Sequence, residues 1–313
     1  MGKIGSLESQ PAKQGAFARW WVAVKPGAFI KLAMPILVGC GYALQNSSSV
    51  SPLMIIIIAG FLICVQLYIV LLNDYADKDA DALHSQHFPG LIDQRVISEG
   101  KIREQHILWA GLGAAFAIIA LAFYLSSIGR THAFFLLGGG LLTFWAYSFP
   151  PVRLNYRGFG EVLEALGVGY ILPLTAYYVL VGEYGSFATL LVAPILLLAL
   201  AGALASGLKH EPADRLTGKK TFCVLCGAPV TVDLIVGLQS AAVSVCLWLF
   251  LEGIYDFMVL AGGVVIAGYF MLRAFSLRKT AHFENLAGLK KFKSALVKAS
   301  LATHVGLFLN FVI

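Results

Sequence analysis

Residues 65–84 read VQLYIVLLNDYADKDADALH: an apolar run that ends in one Asn and four Asp within nine positions. In a helix continuing past residue 73, Asn73, Asp77 and Asp81 recur every fourth residue and share one stripe, with Asp74 on its flank and Asp79 turned elsewhere. Carboxylates this close repel one another, so ionising all of them requires a compensating cation. Mg²⁺ suits the pattern, because it takes oxygen ligands and commonly joins carboxylates to substrate phosphates. Asn73 would add a carbonyl oxygen to the metal or donate to a phosphate oxygen. Incidental acids on a solvated helix end are the bland alternative. They would oppose the helix dipole, and carboxylates at a membrane boundary cost desolvation unless they serve a purpose.

A second polar stretch, KHEPADRLTGKKT, spans residues 209–221. Here Asp214 is followed by Arg215, Lys219 and Lys220, with Gly218 permitting a turn. An acid beside several cations is the composition of a diphosphate clamp: the carboxylate holds metal, and the Lys and Arg groups hold phosphate oxygens. The same composition also suits an ordinary basic loop; its pairing with the first cluster favours the clamp.

The elements that must position these groups are membrane helices. Of the 313 residues, 58% are hydrophobic and 13% charged, against about 25% charged in soluble domains. Nine apolar segments approach the roughly 20 residues that a bilayer requires: 27–45, 52–73, 106–128, 132–149, 160–181, 187–208, 229–251, 256–274 and 294–313. Lys and Arg concentrate in the tail before residue 26 and in the 74–105, 150–159, 209–228 and 274–293 loops, whereas the opposite loops hold only Arg130. That asymmetry predicts a cytoplasmic N-terminus and cytoplasmic acidic loops. The net charge of +6 then reports topology and contact with membrane lipid, and argues against nucleic acid as a partner. The predicted architecture is an all-α integral membrane protein: a cytoplasmic tail (1–25) and a single polytopic domain (26–313). About nine helices form two four-helix halves plus one, with cytoplasmic acidic loops capping a central cavity. The tail carries Lys3, Lys13 and Arg19 but no apolar core, which predicts no cleavable signal peptide. Cys223 and Cys226 form a lone CxxC, too little for a zinc or redox site.

The acidic stretch resembles the NDxxDxxxD motif of the UbiA-type intramembrane prenyltransferases, with Asn73, Asp74, Asp77 and Asp81 at its fixed positions. DRLTGKKT (214–221) is similar to the end of that family's second acidic motif and its basic, Gly-containing continuation. ISEGKIR (97–103) and YSFPPVRLNYRGFGEVLEALGVGYILPLTAYYV (147–179) resemble further family segments, the latter the YRG region of the menaquinone-pathway branch, which prenylates 1,4-dihydroxy-2-naphthoate.

The resemblance implies Mg²⁺-dependent transfer of a prenyl group from a prenyl diphosphate to a lipid-soluble aromatic acceptor in quinone or related isoprenoid biosynthesis. It makes Asp74, Asp77, Lys209 and Asp214 the candidate catalytic groups, and Asn73, Asp74, Asp77, Asp81, Glu211 and Asp214 the candidate metal ligands. Asn73, Lys25, Tyr156, Arg157, Arg215, Lys219 and Lys220 are the candidate substrate contacts. One departure stands out: His210 occupies the position of the second motif's first Asp. Imidazole is a poor Mg²⁺ ligand, so either the adjacent Glu211 substitutes for it or Asp214 acts alone. The departure also leaves open a different acceptor, or cyclisation of the prenyl chain itself. A cation-coupled transporter is a further reading, but its acids would be expected near the bilayer midplane. Tyr68, Phe144, Tyr147 and Tyr178 could face an allylic cation, although ordinary helix packing is the favoured explanation of each. Lys31 reads as a snorkelling side chain, Glu161 and Glu164 as helix-dipole partners, and His84 and His87 as solvated loop residues.

Overall fold

A computed structural model of the chain describes residues 15–47, 49–88, 96–184 and 189–313. Lys3, Lys13 and most of the N-terminal tail, the middle of the first acidic loop and the first residues of the 187–208 segment lie outside the described residues. The described chain is helical: α1 (Ala16–Val24), α2 (Phe29–Asn46), α3 (Pro52–Ala76), α4 (Lys78–His87), α5 (Glu104–Ser127), α6 (Ala133–Ser148), α7 (Gly160–Val181, with a π turn at Gly167–Ile171), α8 (Thr189–Leu216), α9 (Phe222–Cys226), α10 (Ala228–Leu251), α11 (Phe257–Thr280) and α12 (Leu286–Val312). Each of the nine expected apolar segments is a helix. Among the described residues eight spans, with Ala16–Asn46 counted as one, are long and apolar enough to cross a membrane. The remaining helix, α6, has 16 residues, about 24 Å at 1.5 Å per residue. The chain is a multi-pass integral membrane protein.

Local chemistry sets the helix ends. Pro52 and Pro229 open α3 and α10, where the missing N–H costs no hydrogen bond. Asp256 and Asn285 accept from the amides of Met258 and Gly288 at the starts of α11 and α12. Arg130 donates to the carbonyls of Leu180 and Val181 at 3.1 and 2.9 Å. It thereby satisfies orphan acceptors at the C-terminus of α7.

Packing of α3 on α5, α2 on α7 and α8 on α10 builds the bundle, and α12 closes it by returning against α2. Large apolar side chains such as Ile56, Trp109, Phe116 and Phe135 lie exposed on the outer surface, as lipid contact requires. Two glycines permit close helix crossings. A Cβ on Gly39 would stand 2.2 Å from the Pro173 carbonyl oxygen, and one on Gly169 would stand 2.7 Å from the Leu196 Cα. Gly39→Ala is therefore expected to force α2 and α7 apart at a cost of about 1–3 kcal/mol. Thermal unfolding in detergent should show a lowered midpoint, while Gly60→Ala, whose methyl meets open space, should leave it level or slightly higher.

Candidate active site

The break between α3 and α4 places the first motif. A continuous helix through residues 73–81 was expected; instead α3 stops at Ala76, and Asp77 is a non-helical junction (φ −99°, ψ 6°) from which α4 begins. The four-residue register survives the break: the Asp77 amide donates to the Asn73 carbonyl at 3.0 Å and the Asp81 amide to that of Asp77 at 2.8 Å. Asn73, Asp77 and Asp81 thus face one cavity as the spacing predicted. Asp74 lies on the flank and forms an ion pair with Lys25, and Asp79 is exposed.

The second motif is helical rather than a loop, because α8 runs on to Leu216 through Pro212. Its i, i+4 spacing splits it into two faces. His210 and Asp214 line the same cavity as the first motif, whereas Glu211 turns to Arg215, with 3.0 and 2.7 Å contacts to its guanidinium. Beyond the helix, Gly218 adopts φ +73° and the Lys219 amide donates to the Asp214 carbonyl at 2.9 Å. This left-handed glycine termination swings Lys219 back over the cavity, where its Nζ lies 2.7 Å from Asp77 Oδ2.

The two motifs therefore meet. The cavity between them holds about 220 Å³ and is lined by five carboxylates (Asp77, Asp81, Glu161, Glu164 and Asp214) against one lysine, Lys219. Asp77, Asp81 and Asp214 are only 6, 7 and 9% exposed. Burial lowers the proton affinity of the Lys219 ammonium, but the charges of Asp77 and Asp214 outweigh it and the net pKa is raised. Tyr156 donates to Asp77 Oδ1 at 3.4 Å, and the Arg153 guanidinium stacks on its ring at 3.6 Å. Burial, then the Asp77 charge, raises the Tyr156 phenol.

Below the acids lies a second, apolar cavity of about 270 Å³, lined by Phe61, Val65, Tyr68, Leu137, Phe144 and Leu172 among others. Asn73, Tyr147 and Glu164 line both cavities, so polar and apolar chambers adjoin there. Tyr68 and Phe144 meet edge-on with centroids 4.9 Å apart, and Phe144 stacks on Tyr147. Tyr178 lies apart from them, against His132 and Tyr184.

The remaining candidates lie outside the acidic cavity. Arg215, Lys220 and Arg157 are exposed, and Lys209 is half-buried; none of these four lines the chamber. Arg157 donates to the Pro151 carbonyl at 2.8 Å. Sequence reasoning missed three roles. His84 is not solvated: it is 4% exposed, on α4, and lines the cavity edge-on to His210, with ring centroids 5.7 Å apart. His87 is exposed as expected. Lys31 pairs with Glu164 across α2 and α7, and Glu161 accepts from the Phe222 amide at 2.8 Å, tying α7 to the first residue of α9 behind the second motif. His84 was discoverable from its position seven residues beyond Asp77, two turns along the same helical face.

Fold and site together define a multi-pass helical membrane protein in which a buried acidic chamber opens onto an apolar one. The pattern of the UbiA prenyltransferase family matches residues 32–294, and the chain belongs to that family. It is 30% identical over 193 residues to the chloroplastic chlorophyll synthase of Oryza sativa subsp. japonica, covering 61% of this chain and 50% of the relative. It is 21% identical over 240 residues to the 1,4-dihydroxy-2-naphthoate octaprenyltransferase of Bacillus subtilis, covering 76% and 75%. The chain thus spans about half the length of the chlorophyll synthases it matches. Among solved structures, a UbiA homologue from Archaeoglobus fulgidus bound to GPP and Mg²⁺ superposes with a TM-score of 0.68 at 16% identity, covering 94% of this chain and 99% of that one. The apo UbiA homologue from Aeropyrum pernix K1 gives 0.64 at 14% identity, covering 90% and 96%.

Proposed function

We propose that the protein transfers a prenyl group from a prenyl diphosphate to a lipid-soluble acceptor, with Mg²⁺ at the acidic chamber. The observation that carries this reading is the junction of the two chambers at Asn73, Tyr147 and Glu164: one takes a polyanionic head, the other a hydrocarbon tail. Membership of the family and the GPP- and Mg²⁺-bound A. fulgidus homologue support it.

The donor set suits Mg²⁺. Besides Asp77, which pairs with Lys219, and Glu164, which pairs with Lys31, the chamber is lined by Asp81, Glu161 and Asp214, an oxygen-rich lining of the kind a hard divalent cation takes. Asn73, Asp77, Asp81 and Asp214 would hold it, with Asp74 behind them. When bound, Mg²⁺ neutralises charge developing on the departing diphosphate. Lys219 adds a cation at the same chamber, and Lys25 orients Asp74. The apolar chamber keeps water from the allylic carbon, whose developing charge faces Tyr68, Phe144 and Tyr147. The allylic C–O bond breaks with its electron pair leaving on diphosphate; a nucleophilic atom of the acceptor bonds to the carbon and gives up its proton.

The acidic chamber and the N-terminus face the cytoplasm, supported by the alternation of basic loops. The acceptor is an aromatic compound of the quinone, menaquinone or related isoprenoid class, supported by the YRG segment and the B. subtilis relative; the chlorophyll synthases hold a second acceptor class in view.

Membranes containing the protein, Mg²⁺ and geranyl diphosphate should release diphosphate on addition of acceptor, and chelation by EDTA should stop it. Glu211 pairs with Arg215 on the outer side of α8, which supports the reading in which Asp214 acts without it. Glu211→Ala should then alter release by less than about threefold, while Asp214→Ala lowers it by about a hundredfold. Equal losses would return Glu211 to the metal shell. In the same assay His210→Asp, which adds an oxygen ligand beside Asp214, should lower the Mg²⁺ concentration needed for half-maximal release.

A further inference from the structure

The last two helices carry a charge imbalance that topology alone does not explain. Between residues 273 and 298 seven Lys and Arg stand against one acid, Glu284. Arg278, Lys279 and Lys290 lie at the loop between α11 and α12, where the alternation of basic loops expects them. Arg273 and Lys298 do not. They fall inside the apolar spans Phe257–Thr280 and Leu286–Val312, and both are exposed. Lys298 stands twelve positions past Leu286, about 18 Å along the helix. Cations within membrane spans are rare, and those that occur turn to the bundle interior or to a partner. Among the described residues neither Arg273 nor Lys298 forms an ion pair.

The helices α11 and α12 are joined by a short loop and pack on one another, so they run antiparallel, and one contact fixes their register. Lys298 Nζ lies 5.5 Å from the centroid of the Phe270 ring; its side chain thus reaches across to α11. From that contact towards the joining loop, Arg273 follows Phe270 by three residues and shares its face. On α12, Ser294 and Lys291 precede Lys298 by four and seven residues and share its face in turn. Both are exposed. Arg273 therefore comes level with Ser294, and three cations flank one seam. In the other direction the same two faces continue in Ile266 and Val305, apolar and 49 and 40% exposed.

We infer that the seam between α11 and α12 binds an anionic phospholipid, with its phosphate held by Arg273, Lys291 and Lys298 and an acyl chain lying along Ile266 and Val305. The donor set suits a phosphodiester: Arg presents a planar fork to two oxygens at once, Lys supplies compact charge, and Ser294 adds a hydroxyl. A lipid rather than free phosphate fits the surroundings, because Leu272 and Val297 beside the cations are apolar and 63 and 57% exposed. Basic pockets between membrane helices take lipid head groups for this reason, and a low-dielectric setting strengthens the attraction beyond that of the loop cations. The inference stands independently of the prenyl-transfer reading.

The test is native mass spectrometry of the purified full chain from micelles holding equal amounts of palmitoyl-oleoyl phosphatidylglycerol and the matching phosphatidylcholine. Wild type should retain one phosphatidylglycerol with about tenfold preference over phosphatidylcholine. Arg273→Gln/Lys298→Gln should bring that preference down to about twofold or less. Its unfolding temperature in phosphatidylcholine alone should match wild type, which certifies its fold. Lys291→Gln, at the exposed rim, is a second route and should lose about threefold. Arg273→Lys/Lys298→Arg keeps both charges and should keep most of the preference. Lys279→Gln/Lys290→Gln removes the same net charge from the loop end and should leave it unchanged. Glycerol 3-phosphate, a head group without chains, should fail to displace the lipid at about a hundredfold excess. Equal retention of the two lipids by wild type would overturn the assignment. So would an unchanged preference in Arg273→Gln/Lys298→Gln, an equal fall in Lys279→Gln/Lys290→Gln, or displacement by glycerol 3-phosphate. A dimer in the same spectra that comes apart in Arg273→Gln/Lys298→Gln would give the seam to a second copy of the chain, and would overturn it too.

Discussion

Asp77→Ala is expected to lower diphosphate release by about a hundred- to a thousandfold, the largest effect of any single substitution in the chain. Asp77 is the residue at which both motifs meet: its backbone carries the helical register from Asn73 to Asp81 across the break, and its two carboxylate oxygens face Lys219 and Tyr156. On the proposed reading, in which Asp77 holds Mg²⁺ and orients Lys219, losing its carboxylate removes several kcal/mol of charge stabilisation from the transition state, and each 1.36 kcal/mol is about a factor of ten. Asp77→Asn separates the contributions. It keeps the shape, a carbonyl oxygen and a partner for Tyr156, but it lacks the charge. It should unfold below the wild-type temperature, because it too leaves one partner of the buried pair with Lys219 uncompensated, and fall to within about tenfold of Asp77→Ala in activity. Release at the wild-type rate from either variant, with EDTA still inhibiting, would mean that the metal binds elsewhere.

How much of this was legible beforehand depended on whether a signal was local. Asn73, Asp77 and Asp81 line up because four residues make about one helical turn, and that register outlives the break at Asp77. The break itself carries no Gly or Pro to announce it. The return of Lys219 was half-written in Gly218, whose positive φ ends α8 in a way few other residues tolerate. The pairing of that lysine with Asp77, 142 positions away, is a property of packing and has no local trace. The same holds for Lys31 and Glu164, each explicable alone as a snorkelling lysine or a dipole partner, and for Lys25 with Asp74. His84 was misread because residues 78–87 look like a polar loop; they form a helix whose buried side follows the first motif. The nine apolar segments were legible because lipid-facing helices must be apolar along their length. Their order around the bundle was not, since the crossings at Gly39 and Gly169 depend on partners that a single sequence does not name.

Lys219→Met should lower diphosphate release by about a hundredfold, as much as Asp214→Ala, and it should also lower stability. The ammonium is mostly buried and faces Asp77 at 2.7 Å, so its removal leaves a buried carboxylate without its cation, the costly way to break such a pair. Lys219→Arg restores the charge but not the geometry, because a planar guanidinium fans its donors where one compact ammonium fitted; partial recovery of activity is expected. Titration distinguishes the electrostatic role from simple packing. Burial alone would lower the lysine's pKa, yet Asp77 and Asp214 raise it overall. A folded-state pKa above the unfolded one means that the pair's contribution is fully present below the ordinary lysine range, and it fades only as pH climbs through the raised value. The difference in unfolding temperature between wild type and Lys219→Met should therefore stay constant from about pH 7 to 9, well below the usual lysine pKa. A difference that shrinks steadily across that interval would show Lys219 losing its proton there, and the chamber would then lack the fixed positive charge that its opposing carboxylates require.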